Sequence, residues 1–218
     1  MKKYTIDDLK SFERDERGYL ICPTGDYTAI KEFDKYYKFG KNSEFGNFCE
    51  FGRGAEFGDF CKFGVFCEFS KLSKFGEFCE FGDNCIFGDD CEIGFFCKFG
   101  KNCIFGAGCE FLGRSKFGNF CEFGRRCNLE GHFFENLETP AVKVVKIGYI
   151  GRRNDSTYFF QTAQGIYVRC GCFFGSLKEF EAQVKETHKD NKQYLAEYLG
   201  AIKYIKSIMP IGDESNGN

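Results

Sequence analysis

Residues 45–50 read Phe-Gly-Asn-Phe-Cys-Glu, residues 57–62 Phe-Gly-Asp-Phe-Cys-Lys and residues 75–80 Phe-Gly-Glu-Phe-Cys-Glu. The same six-residue pattern runs from Phe33 to Phe133 with almost no slippage. With Phe as position one, sixteen full hexads begin at residues 33, 39, 45 and so on to 123. Fifteen open with Phe and one with Ile93; the second position is Gly in thirteen, and the fifth is Cys in eleven, Ala55 or Ser in four, and Tyr37 in one. Self-similarity at a fixed short period is the signature of a solenoid, in which each repeat packs on its neighbours and none folds alone.

The period sets the expected geometry. Cys at position five and Phe at position one of the next hexad are two residues apart, so in an extended strand both point to one side, inward. The residue between them, such as Glu50, Lys62, Glu80 or Lys98, faces water. Gly at position two is expected to open a corner, where a missing Cβ permits backbone angles that other residues adopt only with strain. Three such units make one triangular coil. In its period, its Gly placement and its small fifth position the array resembles the hexapeptide-repeat family, whose members wind a left-handed parallel β-helix. The resemblance covers nearly half the chain and departs from the family in one respect: Phe stands where the family prefers Ile, Leu or Val. Pentapeptide-repeat helices accept Phe, but their period of five does not fit sixteen hexads.

Residues one coil apart lie above one another, so the three faces can be read separately. Face one carries Lys38, Glu56, Lys74, Glu92 and Glu110, and face two carries Glu44, Lys62, Glu80, Lys98 and Lys116. These are largely alternating charge ladders, each pair worth about a few tenths of a kcal/mol. Face three reads Glu32, Glu50, Glu68, Ile86, Ile104, Glu122, with two isoleucines where water is expected. The corners hold a second anomaly, because position four should be polar. It is Phe60, Phe78 and Phe96 up one corner and Phe48, Phe66 and Phe120 up another, with Phe95 thickening the first row. Either the rings fold against the corner backbone, or they stand out as a ridge of the kind that marks an interface. Family members commonly form trimers along such edges, and that resemblance implies an oligomer, trimer before dimer.

Fourteen Cys in a short secreted chain would suggest a disulfide scaffold, but eleven of these fall at the inward position of a solenoid. Rungs about 4.8 Å apart hold stacked Cβ atoms slightly too far apart for a disulfide, so the thiols are read as reduced apolar filler. The net charge is −2 with both signs evenly mixed, which advertises neither nucleic acid nor an anionic membrane. No eighteen-residue apolar run and no signal-like N-terminus occur, so the expected location is cytoplasmic.

The expected fold is mainly β: an N-terminal cap over residues 1–32, the β-helix over 33–133, a linker over 134–140, an α+β domain over 141–210 and a tail over 211–218. Thr5 with Asp8 reads as a capping box for a helix over about residues 6–16, and Tyr19 to Cys22 as a short strand. In the C-terminal domain, Val142 to Ile150, Thr157 to Gln161 and Ile166 to Phe174 read as three strands. Ser176 with Glu179 caps a helix through about His188, and Asp190 caps a last helix with Tyr194, Leu195, Tyr198, Ala201, Ile202 and Ile205 on one face. The run from Ile166 to Leu177, together with the hexad array, resembles uncharacterised proteins of bacteriophage and prophage genomes. That implies a phage origin and, with it, the host-cell cytoplasm.

No reaction is legible. Hexapeptide-repeat acyltransferases use a His on the coils and the family's carbonic anhydrases need three for zinc, whereas this chain has two His in all. His132 falls in the last, degenerate hexad and is the only candidate base; His188 closes a helix. Cys170-x-Cys172 has the wrong spacing for a zinc knuckle and, on an alternating strand, points both thiols one way without partners. No metal, cofactor or catalytic residue is expected. Arg152, Arg153 and Asn154 in a loop, with Tyr158, Tyr167 and Arg169 on nearby strands, could recognise an anionic small ligand such as a nucleotide signal. The leading expectation is a non-enzymatic interaction protein that oligomerises through Phe48, Phe60, Phe66, Phe78, Phe95, Phe96, Ile86 and Ile104. A ligand-sequestering protein and an acyltransferase are the alternatives, and the host, phage or small-molecule partner is not legible.

Overall fold

The computed structural model describes residues 1–124, 126–129, 131–134, 136–137, 139–151 and 155–209, with the backbone alone at Tyr149 and Asp155. Residues 1–137 and 138–218 form two compact units.

The first unit is a parallel β-solenoid of three six-stranded sheets. Most rungs are two residues long, such as Lys62–Phe63 and Glu80–Phe81, with the charged residue outside and Phe buried. Registers run one coil apart on every face: Glu80 pairs Lys62 and Lys98, Glu92 pairs Lys74, and Ile86 pairs Ile104. Inside, Phe rings stack in three columns. Phe81 lies 4.8 Å from Phe63 and 4.8 Å from Phe99, tilted from them by 2° and 5°. Within a coil the columns meet edge to face, as between Phe63 and Phe69 at 5.0 Å and 90°. Each buried ring removes about 2–3 kcal/mol worth of apolar surface from water, and each well-placed ring pair adds about 0.5–1.5 kcal/mol.

The corners correct the expectation about glycine. The backbone adopts positive φ at position four of each hexad, including Phe48 (57°), Phe60 (59°), Phe78 (56°) and Asn102 (55°), and not at the position-two glycines. Those glycines answer a different need: a Cβ on Gly82 would lie 2.8 Å from the carbonyl carbon of Gly64 and from the nitrogen of Val65, in the coil next to it. Successive coils therefore touch backbone to backbone at position two. Position-three Asn and Asp side chains complete the corner, as where Asn47 Oδ1 accepts from the Val65 N–H at 3.0 Å and Asp83 Oδ1 from that of Lys101 at 2.7 Å.

Position five is buried in every hexad but the last, where Cys127 is half-buried, and all fourteen thiols are free. From Cys61 upward the solenoid thiols turn to a position-two carbonyl of the preceding coil, as Cys67 does to Gly46 O at 3.3 Å and Cys121 to Gly100 O at 3.3 Å, whereas Cys49 turns to Ile30 O at 3.4 Å. Burial pushes Cys22 up to about 12. Neighbouring thiols and burial raise Cys49 and Cys85 as well.

At the N-terminal end, Leu20–Cys22 pairs in parallel with Tyr37–Phe39 on face one. Tyr27 occupies the Phe column, stacked on Phe45 at 5.5 Å and on Tyr4 at 5.0 Å. The expected helix over 6–16 is only Ile6–Leu9, though its Thr5–Asp8 capping box is present. The reason is a competing turn: Asp15 Oδ1 accepts from the N–H groups of Arg17 and Tyr19, and the Ile21 N–H donates to Glu13 O, folding the chain back.

The second unit is a four-stranded antiparallel meander, Lys143–Ile150, Asp155–Thr162, Gly165–Cys170 and Phe173–Ser176, followed by helices Leu177–Thr187 and Lys192–Ile208. The expected third strand is two, because Gly171 at φ 57° turns the chain between Cys170 and Phe173. The Ser176–Glu179 capping box is present. The last helix is capped by Asn191, whose Oδ1 accepts from the Tyr194 N–H at 3.0 Å, one residue beyond the expected Asp190. Phe159, Val168, Phe180, Val184, Ile202 and Ile205 form the core between sheet and helices.

Candidate functional site

Position four combines two costs in one residue: a left-handed backbone, strained for any residue with a Cβ by about 1–2 kcal/mol, and an aromatic ring in water. Phe60, Phe78 and Phe96 are 50%, 42% and 39% exposed. They stack at 5.0 Å, Phe60 to Phe78 at 3° and Phe78 to Phe96 at 8°. Phe48 and Phe66 do the same on the next corner, at 5.1 Å and 2°. Both readings of these rings hold in part: each covers the ring of the neighbouring coil, and the row still stands out as a ridge. Phe78 has a ring on each face, and Phe60, Phe96, Phe48 and Phe66 each have one, so the row presents chiefly ring edges, spaced at the repeat of the solenoid. Phe95 is exposed beside Phe96, its centroid 6.3 Å away. Ile86 and Ile104 are exposed and adjacent on face three. The expected interface residues are thus all at the surface; the first corner gathers Phe60, Phe78, Phe95 and Phe96, the second Phe48 and Phe66, and face three the isoleucines.

Face one is internally paired, with Lys38–Glu56 at 3.3 Å and Lys74–Glu92 at 2.8 Å. Face two pairs Lys98 with Glu80 at 2.8 Å, which lowers the Glu80 carboxyl. Glu32, Glu50 and Glu68 stack as like charges on face three, an arrangement that is mildly destabilising.

His132 takes position five above Ser115, since Phe133 and Phe134 pair with Lys116 and Phe117. Its ring is fully buried against Phe111 and Phe117, both at 5.7 Å, and its Nδ1 accepts from the Ser115 N–H at 3.2 Å. Burial pulls its pKa down to about 4, so the ring is neutral near pH 7. It reaches no surface at which a substrate could meet it.

Of the expected anion-binding residues, Arg152, Arg153 and Asn154 lie outside the described residues. Tyr158 and Arg169 are cross-strand neighbours. The Arg169 guanidinium lies 4.7 Å over the Tyr158 ring and 5.9 Å from Phe160, and it is only 8% exposed. Tyr167 stacks with Phe174 at 6.0 Å.

A feature that sequence reasoning missed is a cavity of about 730 Å³ in the second unit, walled by Cys172, Phe173, Phe180, His188, Tyr194 and Tyr198 among others. His188 stacks on Tyr198 at 5.2 Å, and Thr157 Oγ1 donates to Cys170 Sγ at 3.3 Å. Cys170 and Cys172 thus do not share one strand face: Cys172 is exposed in the turn, and Cys170 has a partner. The one available signal was Tyr194 and Tyr198 a helical turn apart, which also fits a core face. Among the described residues no Lys or Arg lines the cavity, and none of them form a cluster able to hold a metal. No helix among them is long and apolar enough to cross a membrane.

Compared with known proteins, the chain matches no family model, no curated protein and no solved structure.

Proposed function

We propose that the protein is a non-enzymatic binding scaffold, of the left-handed hexapeptide-repeat class and phage-encoded, whose rigid solenoid self-associates in the host-cell cytoplasm. The observation that carries this reading is the stacked, exposed row of Phe60, Phe78 and Phe96. Exposed rings forgo about 1.5–3 kcal/mol of burial each, and a contiguous row of them is the kind of patch that a partner covers. An edge-on comb repeating at the coil spacing is commensurate with another solenoid of the same repeat. Its inner ring faces are already taken, which leaves mainly edges for an occupant. The acyltransferase alternative draws no support from His132, enclosed and neutral.

Light scattering tests the reading. The wild type is expected as a fixed oligomer and Phe78→Glu with Phe96→Glu as a folded monomer. A wild-type mass equal to the 25.0 kDa chain would overturn it.

The cavity supports a second reading, small-ligand binding by the C-terminal unit. Its aromatic lining suits a ring compound, whether uncharged or, like the nucleotide suggested by the Arg152–Asn154 loop, anionic. Calorimetry against nucleotides, cyclic nucleotides and neutral aromatics discriminates, and uniformly flat titrations would remove both ligands.

A further inference from the structure

Face two continues below the hexads, because Asp26 bridges Glu44 in parallel register. Lys3 bridges Asp26 below and Phe133 pairs with Lys116 above, so from bottom to top the face reads Lys3, Asp26, Glu44, Lys62, Glu80, Lys98, Lys116 and Phe133. In signs the six rungs from Asp26 to Lys116 are minus, minus, plus, minus, plus, plus. Read in reverse, every sign is inverted. A ladder with that property is complementary to itself when turned end for end.

From this order we infer that face two docks on face two of a second copy, with the solenoids antiparallel and a two-fold axis crossing the face midway between the Lys62 and Glu80 rungs. The inference rests on the self-association reading above and names its surface and partner. The axis sets Lys62 opposite Glu80 of the other copy, Glu44 opposite Lys98, and Asp26 opposite Lys116, each pair occurring twice. Lys62, Lys116 and Glu44 form no ion pair within the chain among the described residues, whereas both lysines of the face-one ladder are already bridged to Glu56 and Glu92. The rungs of both copies share one spacing, so the match holds over the six rungs from Asp26 to Lys116, with Lys3 opposite Phe133 at either end, and pleated faces approach to about 10 Å, within reach of Lys and Glu side chains.

The margins agree with the ladder. Face two is the face bordered by both aromatic corners, Phe60, Phe78 and Phe96 before its rungs and Phe48, Phe66 and Phe120 after them. An axis lying in the face brings each corner to its own equivalent with levels reversed. Phe60 then meets Phe78 of the other copy, and Phe78 meets Phe60, so ring edges close one margin of the polar ladder against water. Such an isologous contact closes on itself as a dimer. The trimer implied by the family resemblance would instead set different faces against one another, which leaves the sign order of face two unused.

Charge exchange tests the arrangement. Glu80→Lys sets Lys against Lys62 at both central positions, and Lys62→Glu sets Glu against Glu80. Each single variant is expected to sediment at half the wild-type mass, and an equimolar mixture of the two is expected to recover the full dimer mass, since unlike copies are complementary again. The double variant, Lys62→Glu with Glu80→Lys, is expected to dimerise by itself. Recovery on mixing also shows that the single variants are folded. A dimer or larger oligomer indifferent to the single changes, or a mixture that stays monomeric, overturns this interface while leaving self-association standing. A wild-type protein of single-chain mass overturns the earlier reading itself.

Discussion

Phe81 and Gly82 divide one corner of the solenoid between a ring and a missing methyl. Phe81 has rings above and below at 4.8 Å and three more at its edges, at 5.0–5.7 Å. Phe81→Ala is expected to cost about 3–5 kcal/mol, through lost transfer energy and the cavity left behind. Gly82→Ala drives a Cβ into backbone that cannot swing aside, and about 1–3 kcal/mol is expected. Gly200, inside the last helix with nothing near its would-be Cβ, is the contrast: Gly200→Ala should stabilise by about 0.5–1 kcal/mol. Urea unfolding of the three variants checks the signs, and a neutral Phe81→Ala would contradict the inward stacking.

At the scale of elements, a solenoid is decided at its ends, where rungs lose a neighbour. Tyr27 closes the lower end with a ring that belongs to the Phe column, and its hydroxyl donates to Pro23 O. His132 stands at the upper end of the position-five column of Cys61, Cys79, Cys97 and Ser115. It does so as a buried base whose Nε2 has no partner among the described residues. Its folded pKa, about 4, lies below the ordinary value of 6.5. Between those values the unfolded chain binds a proton that the folded chain does not, so stability rises with pH across that window. The contribution is fully present above pH 6.5 and is lost as pH falls toward 4, roughly 3 kcal/mol in all. His132→Cys, which continues the column, is expected to flatten that part of the acid slope. Unfolding free energies at pH 7, 5.5 and 4.5 measure it; parallel curves for wild type and variant would refute the assignment.

For the molecule as a whole, fourteen thiols coexist without a disulfide because stacking separates them. In the column of Cys49, Cys67, Cys85, Cys103 and Cys121 the thiols turn to backbone carbonyls, and among the described residues no Lys or Arg is buried beside them. The solenoid thiols should therefore be inert while folded. A thiol reagent is expected to titrate about one group in the native protein, Cys172 being the exposed one, and nearly all fourteen after denaturation without reductant. A denatured count near zero would mean that the columns are bridged. The small net charge, −2, leaves little long-range repulsion between copies, so added salt should weaken the proposed face-two contact chiefly by screening its local pairs.

The sequence alone determined the period, the inward Phe and Cys, the outward charge ladders and the register of one coil. A repeat states the same local rule sixteen times, and alternation along a strand needs no knowledge of distant residues. It also marked the odd residues at position four and on face three. Only the tertiary structure decided the rest. Which corner residue takes positive φ depends on how closely one coil lies on the next, and that contact claims glycine for position two and leaves the left-handed bend to Phe, Asn and Asp. The short first helix, the broken third strand, the enclosure of His132 and the cavity walled by Cys172 and Tyr198 all depend on backbone turns and packing between residues far apart in sequence, which no period encodes.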